Sequence, residues 1–183
     1  LNKSTDSLKS LGIFKNIKID VLDSKKSENV NLVVSVDEKP TGEISAGVGY
    51  GTLGAAISFA IKEKNFLGKG IESNISMQLG SEKVLGIISL SDPDFSDTGN
   101  SLKGSFFVSQ YTYDNAGYDN KVIGSSLSKS YPAFKDVNFE TGFLADYDTI
   151  DVQSGASNLI KSREGSYLTT KFFYNVLNDK RNR

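Results

Sequence analysis

The feature that most constrains this chain is a period-two alternation carried through segments of about ten residues, repeated from Gly42 almost to the C-terminus. Ile44, Ala46, Val48 and Tyr50 fall on one side of such a segment, with Glu43, Ser45, Gly47 and Gly49 on the other. Ile57, Phe59 and Ile61 oppose Ser58, Ala60 and Lys62; Ile71, Ile75, Met77 and Leu79 oppose Glu72, Asn74, Ser76 and Gln78. The same pattern returns at Leu102, Phe106 and Val108, at Phe139, Phe143 and Tyr147, and at Leu168, Phe172, Tyr174 and Val176. Lys83–Asp92 and Lys121–Tyr131 carry it less cleanly. Strands of soluble proteins mostly run to ~5–6 residues, whereas a strand tilted across a bilayer needs ~9–11. Long dyad repeats with one apolar face and turn residues between them are the sequence signature of a transmembrane β-barrel. The reading is a mainly β chain: a partial antiparallel barrel of about eight strands, open within this sequence.

The turns divide into two sets. Gly51–Gly54, Gly80–Lys83, Asp114–Asn120 and a long connection from about Asp148 to Gly165 belong to one end of the barrel. Asn65–Lys69, Asp92–Asn100 and Pro132–Asp136 belong to the other.

The first forty residues follow a different plan. Asp6 to Leu11 reads as the last turns of a helix, with Gly12 at its C-terminal end. A strand begins at Phe14 and alternates through Ile17, Ile19 and Val21; Asp23 to Asn29 is a polar loop. A second strand carries Val30, Leu32, Val34 and Val36, and Pro40 closes the unit, since proline does not sit inside a central strand. This predicts two domains, 1–40 as the C-terminal part of an α+β unit and 41–183 as barrel. The chain starts at Leu1 without a signal peptide and stops at Asn182 and Arg183 without a cap, as expected of an internal piece of a longer protein.

Composition narrows the chemistry. With 21 Lys+Arg against 22 Asp+Glu the formal net charge is −1, which argues against nucleic acid as a partner. Neither Cys nor His occurs, which excludes thiolate or imidazole zinc sites, thiol catalysis and a Ser-His-Asp triad. No cofactor, metal or catalytic residue is expected, and the chain reads as non-enzymatic. Gly49-Tyr50-Gly51-Thr52-Leu53-Gly54 matches G-x-G-x-x-G, with Glu72 near the spacing of a ribose-binding acid. The residues after it, Ile57, Phe59 and Ile61, alternate as a strand rather than wind as a helix. Ile44 to Ile61 holds no charge over 18 residues, with Gly47 and Gly51 as a G-x-x-x-G pair, but its period is two. Asp92-Pro93-Asp94-Phe95-Ser96-Asp97 places Asp where a calcium loop needs Gly, so it reads as a turn. Asp146, Asp148 and Asp151 read as a solvated strand end or loop.

Several short runs, in order, resemble the BamA family of outer-membrane β-barrel assembly factors, the POTRA-barrel surface-antigen proteins. Leu11-Gly12-Ile13-Phe14 with its strand, and Val30–Glu38 ending at the Lys39-Pro40 junction, are similar to the end of that family's last POTRA domain. Gly47-Val48-Gly49-Tyr50-Gly51-Thr52 resembles its first barrel strand and loop. Asn65-Phe66-Leu67-Gly68-Lys69-Gly70 and Ser91-Asp92-Pro93-Asp94-Phe95 resemble its next two turns on the periplasmic side. Tyr174-Asn175 and the basic end resemble the eighth strand. The absence of Trp departs from the pattern and leaves Phe and Tyr as interface aromatics.

The resemblance implies a barrel of about sixteen strands, the first eight held here, in the outer membrane with the N-terminal unit in the periplasm. It implies unfolded outer-membrane proteins as clients, with accessory assembly lipoproteins and the lipid bilayer as further partners. In this family the first barrel strand forms one side of a lateral seam, which here places Gly42, Ile44, Ala46, Gly47, Val48, Gly49 and Tyr50 at the client-pairing edge. The glycines have two readings, a seam kept weak for opening and simple barrel curvature. A strand-addition edge on the POTRA unit would involve Ile17, Ile19 and Val21 or Val30, Leu32 and Val34. The alternatives are a TamA-like translocation factor, a passive porin-like barrel, and a soluble β-sandwich.

Overall fold

The computed structural model describes residues 5–6, 8–9, 11–23, 30–52 and 54–180. Ten strands follow in the chain: β1 (Phe14–Asp23), β2 (Val30–Glu38), β3 (Gly42–Gly51), β4 (Gly54–Phe66), β5 (Ile71–Gly80), β6 (Lys83–Asp92), β7 (Ser101–Tyr113), β8 (Tyr118–Phe134), β9 (Val137–Val152) and β10 (Gly165–Asn178). β1 and β2 form a two-stranded sheet of their own. β3 to β10 form one eight-stranded antiparallel sheet in sequence order, each strand beside the next. Short connections leave no room for crossovers, so the meander is the topology this spacing dictates.

Ahead of β1, residues 5–6 and 8–9 are helical. Gly12 follows with φ 68° and donates its N–H to the Lys9 carbonyl at 3.0 Å, the left-handed stop expected there. The expected loop Asp23–Asn29 lies, beyond Asp23 itself, outside the described residues. Lys39 N–H bonds to the Ile13 carbonyl at 3.0 Å, extending the hairpin to the edge of the Pro40 junction.

Both rival readings of the glycine-rich stretch are overturned. Gly49 to Gly51 ends β3, Gly54 opens β4 and pairs with Gly51, and no helix follows. The chargeless stretch Ile44–Ile61 is a hairpin, and no described helix is long and apolar enough to cross a membrane.

Two strands run further than their hydrophobic pattern foretold. The turn expected at Pro132–Asp136 shrinks to Lys135 and Asp136, because β8 continues to Phe134. Pro132 is tolerated because the register shifts between Pro132 and Phe134, so its missing N–H falls at an irregularity in the ladder. β8 also begins at Tyr118, inside the expected turn Asp114–Asn120. β9 reaches Val152, which puts Asp146, Asp148 and Asp151 within a paired strand rather than a loop. These extensions mix Tyr118, Pro132, Phe134, Ile150 and Val152 with Asp119, Asn120, Asp148 and Asp151 and continue no apolar face, so alternation gave no sign of them. The remaining connection between β9 and β10 carries one helical turn, α1 (Asn158–Lys161), capped by the Ser157 hydroxyl.

The sheet is a single layer. Among the described residues only Gly117, Gly124, Ser128, Gly142 and Ala156 are buried, and no large side chain is fully enclosed. The apolar side chains of the alternating face are bare: Ile44, Ile57, Ile88, Phe106, Phe143 and Phe172 are all exposed. A soluble sandwich would hide that face under a second sheet; here nothing within the sheet covers it.

Candidate functional site

Cross-strand partners allow the bare face to be traced row by row. One row runs Ala46, Phe59, Met77, Gly86, Val108, Ile123, Tyr147, Leu168, apolar from β3 to β10 apart from Gly86. A row nearer the far end of the strands runs Val48, Ile57, Leu79, Val84, then Gln110, Lys121, Thr149, Ser166. It is apolar on β3–β6 and polar on β7–β10. A row nearer the β2 junction runs Gly42, Glu63, Ser73, then Leu90, Gly104, Leu127, Phe143, Phe172, with the polarity reversed.

The apolar band therefore crosses the sheet obliquely. Its midpoint is near Gly47 on β3 and near Phe172 on β10, whereas the ladder carries Gly47 across to Tyr167. That offset is about five residues, or ~17 Å, across about 34 Å of sheet, so a flat apolar slab requires strands inclined by roughly 27°. Barrel strands are inclined by ~35–45° in membranes, and this sheet approaches that. The band is the face a bilayer would wet.

The opposite face is unevenly furnished. On β7–β10 it is cross-linked: Ser105 to Ser126 at 2.7 Å, Asn120 Nδ2 donating to Asp148 at 2.6 Å, Asn175 Nδ2 donating to Glu140 at 3.0 Å, and Lys171 to Asp146 at 3.9 Å. The Phe107 and Phe173 rings lie over Gly124 and Gly142 of the adjacent strands. Midway along β3–β5 it carries the small residues Ser45, Ser58, Ala60 and Ser76, which leave a trough of about 470 Å³ bounded by Leu85, Ile87 and Phe107. No group of three carboxylates that could hold a metal gathers among the described residues. Asp92 and Asp94 spend their carboxylates on the N–H groups of Asp94 and Gly99, at 3.1 and 2.6 Å, as a turn requires.

β3 ends the sheet, pairing with β4 on one side only among the described strands. All seven residues expected at the seam lie on it. Gly42, Ile44, Ala46, Val48 and Tyr50 share the bare apolar face, and Gly47 and Gly49 lie on the opposite one. Val48 and Tyr50 are 88% and 89% exposed, the barest large apolar side chains described. On the small sheet Ile17, Ile19 and Val21 pair with Val36, Val34 and Leu32, while Val30 pairs with Asp23. These residues therefore share one face of a two-stranded sheet in which β1 and β2 each pair on one side only among the described strands. Glu63 escaped the sequence reading. It accepts the Thr41 hydroxyl and, at 2.7 Å, the Asn65 N–H, at the root of β3. A carboxylate interrupting the alternation at the end of Ile57, Phe59 and Ile61 was the available signal.

Residues 65–183 match the Omp85 superfamily domain. The chain belongs to the Omp85 superfamily. Along 172 residues it is 26% identical to the outer membrane protein assembly factor BamA of Nitratidesulfovibrio vulgaris, covering 93% of this chain and 22% of that protein. Along 170 residues it is 25% identical to BamA of Neisseria meningitidis, covering 85% of this chain and 20% of the relative. The chain thus spans about a fifth of these relatives. The crystal structure of BamA from Haemophilus ducreyi lacking POTRA domains 1–3 has the same fold, with a TM-score of 0.76 over 99% of this chain and 38% of that one, at 20% identity. The Omp85 sheet described here has the fold of a BamA barrel portion, and its place is the outer membrane.

Proposed function

We propose that the protein carrying this chain is a BamA-type assembly factor that folds and inserts outer-membrane β-barrel proteins. The client's strand adds to the free edge of β3. The observation that supports the reading is that β3, the first strand of the sheet, pairs with β4 alone among the described strands and carries an apolar face already set at bilayer depth. Such an edge templates strand addition. The residues that present it are Gly42, Ile44, Ala46, Gly47, Val48, Gly49 and Tyr50. Residues 1–40 are the C-terminal part of a periplasmic POTRA domain and 41–183 the first half of the barrel. The β1–β2 hairpin, through Ile17, Ile19, Val21, Val30, Leu32 and Val34, is the surface offered to extended segments of clients or accessory lipoproteins. The activity is mechanical and requires no catalytic group.

The test uses the complete protein in native outer membranes with single cysteines at Ala46 or Val48 and a client stalled during assembly. Disulfide cross-links should form to alternate residues of one client strand. A second arm locks β3 by a disulfide to the strand that closes the barrel, and insertion of clients should stop until reductant is added. A passive porin would give neither result, and insertion at the normal rate with the seam locked overturns the proposal.

A further inference from the structure

We infer that Glu63 is the positioning residue that holds the seam strand in register, and that Gly42 lacks a side chain to make room for it. Glycine-rich strands specify their pairing weakly, and a slip of two residues preserves the alternation of faces. β3 is such a strand: Glu43, Ser45, Gly47 and Gly49 face inward, and Ile44, Ala46, Val48 and Tyr50 outward. Sliding it by two residues along β4 would still place polar or small groups inside and apolar groups outside. Its far end is held by the rung that pairs Gly51 with Gly54. Its root needs a second constraint, and the structure places one there.

Gly42 pairs with Glu63 as the first rung of the β3–β4 ladder. The Glu63 carboxylate accepts the hydroxyl of Thr41, the residue just before β3, and the N–H of Asn65 at 2.7 Å. The Asn65 side chain in turn accepts the Gly70 N–H at 2.7 Å, tying the clamp to the turn into β5. The β4–β5 register shifts between Glu63 and Phe66, which frees Asn65 to turn back toward the carboxylate. A Cβ on Gly42 would stand 3.1 Å from the second Glu63 oxygen. After a two-residue slip, Thr41 would lie ~7 Å from its acceptor, and Ile44 would bring a Cβ against the carboxylate. Only the observed register satisfies the clamp.

The inference rests on β3 being the client-pairing strand, because a client added to its free edge inherits its register. A slipped β3 would offset the client by two residues against the bilayer. The experiment measures amide hydrogen exchange across β3 in the complete protein in lipid nanodiscs, and separately maps client cross-links from cysteines at Ala46 and Val48. Glu63→Ala and Thr41→Val should each raise exchange at Gly42–Ala46 by about fivefold while leaving β9 and β10 unchanged. They should also spread cross-links to client positions two residues away. Glu63→Gln, which keeps an acceptor oxygen, and Thr41→Ser, which keeps the hydroxyl, should behave as the unaltered protein. Gly42→Ala should reproduce the Glu63→Ala pattern with the carboxylate still present. If Glu63→Ala does not fold, Thr41→Val and Gly42→Ala carry the test. Unchanged exchange at the root of β3 in folded Glu63→Ala, or in these two, overturns the inference. Absence of client cross-links in the unaltered protein overturns the client reading alone, and the exchange arm still decides the clamp.

Discussion

At the scale of single residues, the inner face shows where shape rather than polarity sets what is allowed. A Cβ on Gly142 would lie 2.2 Å from Cζ of Phe173 and within 2.8 Å of two other ring atoms. A Cβ on Gly124 would lie 2.4 Å from Cζ of Phe107 and 2.9 Å from the Cβ of Asp146. Each ring fills the space its neighbour leaves, so the β9–β10 and β7–β8 contacts are fitted pairs. Gly142→Ala should destabilise the barrel by about 1–3 kcal/mol, the range for overpacking a fitted contact. Urea unfolding of the complete protein in micelles measures it, and Phe173→Leu in the same background should recover most of the loss. At Gly124 the parallel rescue by Phe107→Leu should be weaker, because Asp146 also crowds the site and remains. Full rescue at both sites, or none at Gly142, contradicts the ring contacts as the cause. Neither pair was legible in the sequence. Phe107 and Phe173 sit at inward positions where a polar side chain was expected, and their partners are known only once the register is.

At the scale of elements, alternation located all eight strands of the large sheet but misjudged where several stop. β3, β5 and β6 end close to where their apolar residues do, since both rims are marked by turn residues. β8 and β9 run on past theirs, to 17 and 16 residues, with Asn120, Lys121, Asp148 and Asp151 in the extension. There the strands stand clear of the apolar band and are held by polar pairs, Asn120 to Asp148 and Lys121 to Asp151 at 3.2 Å. Period two in hydrophobicity is a signal of one wet and one oily face; where both faces are wet, the ladder persists and the signal disappears. The same limit hid the docking of the β9–β10 connection. Gln153 donates its N–H to the Gly117 carbonyl at 2.8 Å, Ala156 packs 3.3 Å from where a Gly117 Cβ would be, and the Tyr167 hydroxyl bonds to the Arg163 carbonyl at 3.1 Å. Gly117 also has φ 73°, so a side chain there is opposed by both backbone and neighbour. Gly117→Val should undock residues 153–164. Trypsin cleavage at Lys161 and Arg163 should then rise several-fold, read by mass spectrometry on intact outer-membrane vesicles, with the heat-modifiable gel mobility of the barrel unchanged. An unchanged cleavage rate would mean that the connection is held elsewhere.

At the scale of the whole molecule, the obliquity of the apolar band ties fold to membrane. A strand pattern read one segment at a time shows an apolar face but no depth. Depth comes from comparing segments through the register, and the register is a property of the sheet. Val48 and Ser166 illustrate the difference. They share one row of the ladder, at opposite ends of the sheet, and on a flat soluble sheet they would be equivalent in height. With strands inclined by roughly 27°, a row about 34 Å long separates its ends by ~15 Å along the membrane normal, half the thickness of the hydrocarbon core. Val48 then lies among acyl chains and Ser166 toward the headgroups of the outer leaflet. The reverse holds on the row of Gly42 and Phe172, with Phe172 in hydrocarbon and Gly42 at the periplasmic rim. Nitroxide labels at these four positions, one at a time, in the complete protein in bilayers, report depth by their relative accessibility to oxygen and to a water-soluble nickel chelate. Labels at Val48 and Phe172 should favour oxygen, and labels at Ser166 and Gly42 should favour nickel. Equal accessibility along a row would mean that the bare band is not what the bilayer covers, and with it would go the argument that β3 presents its free edge to an incoming strand already at membrane depth.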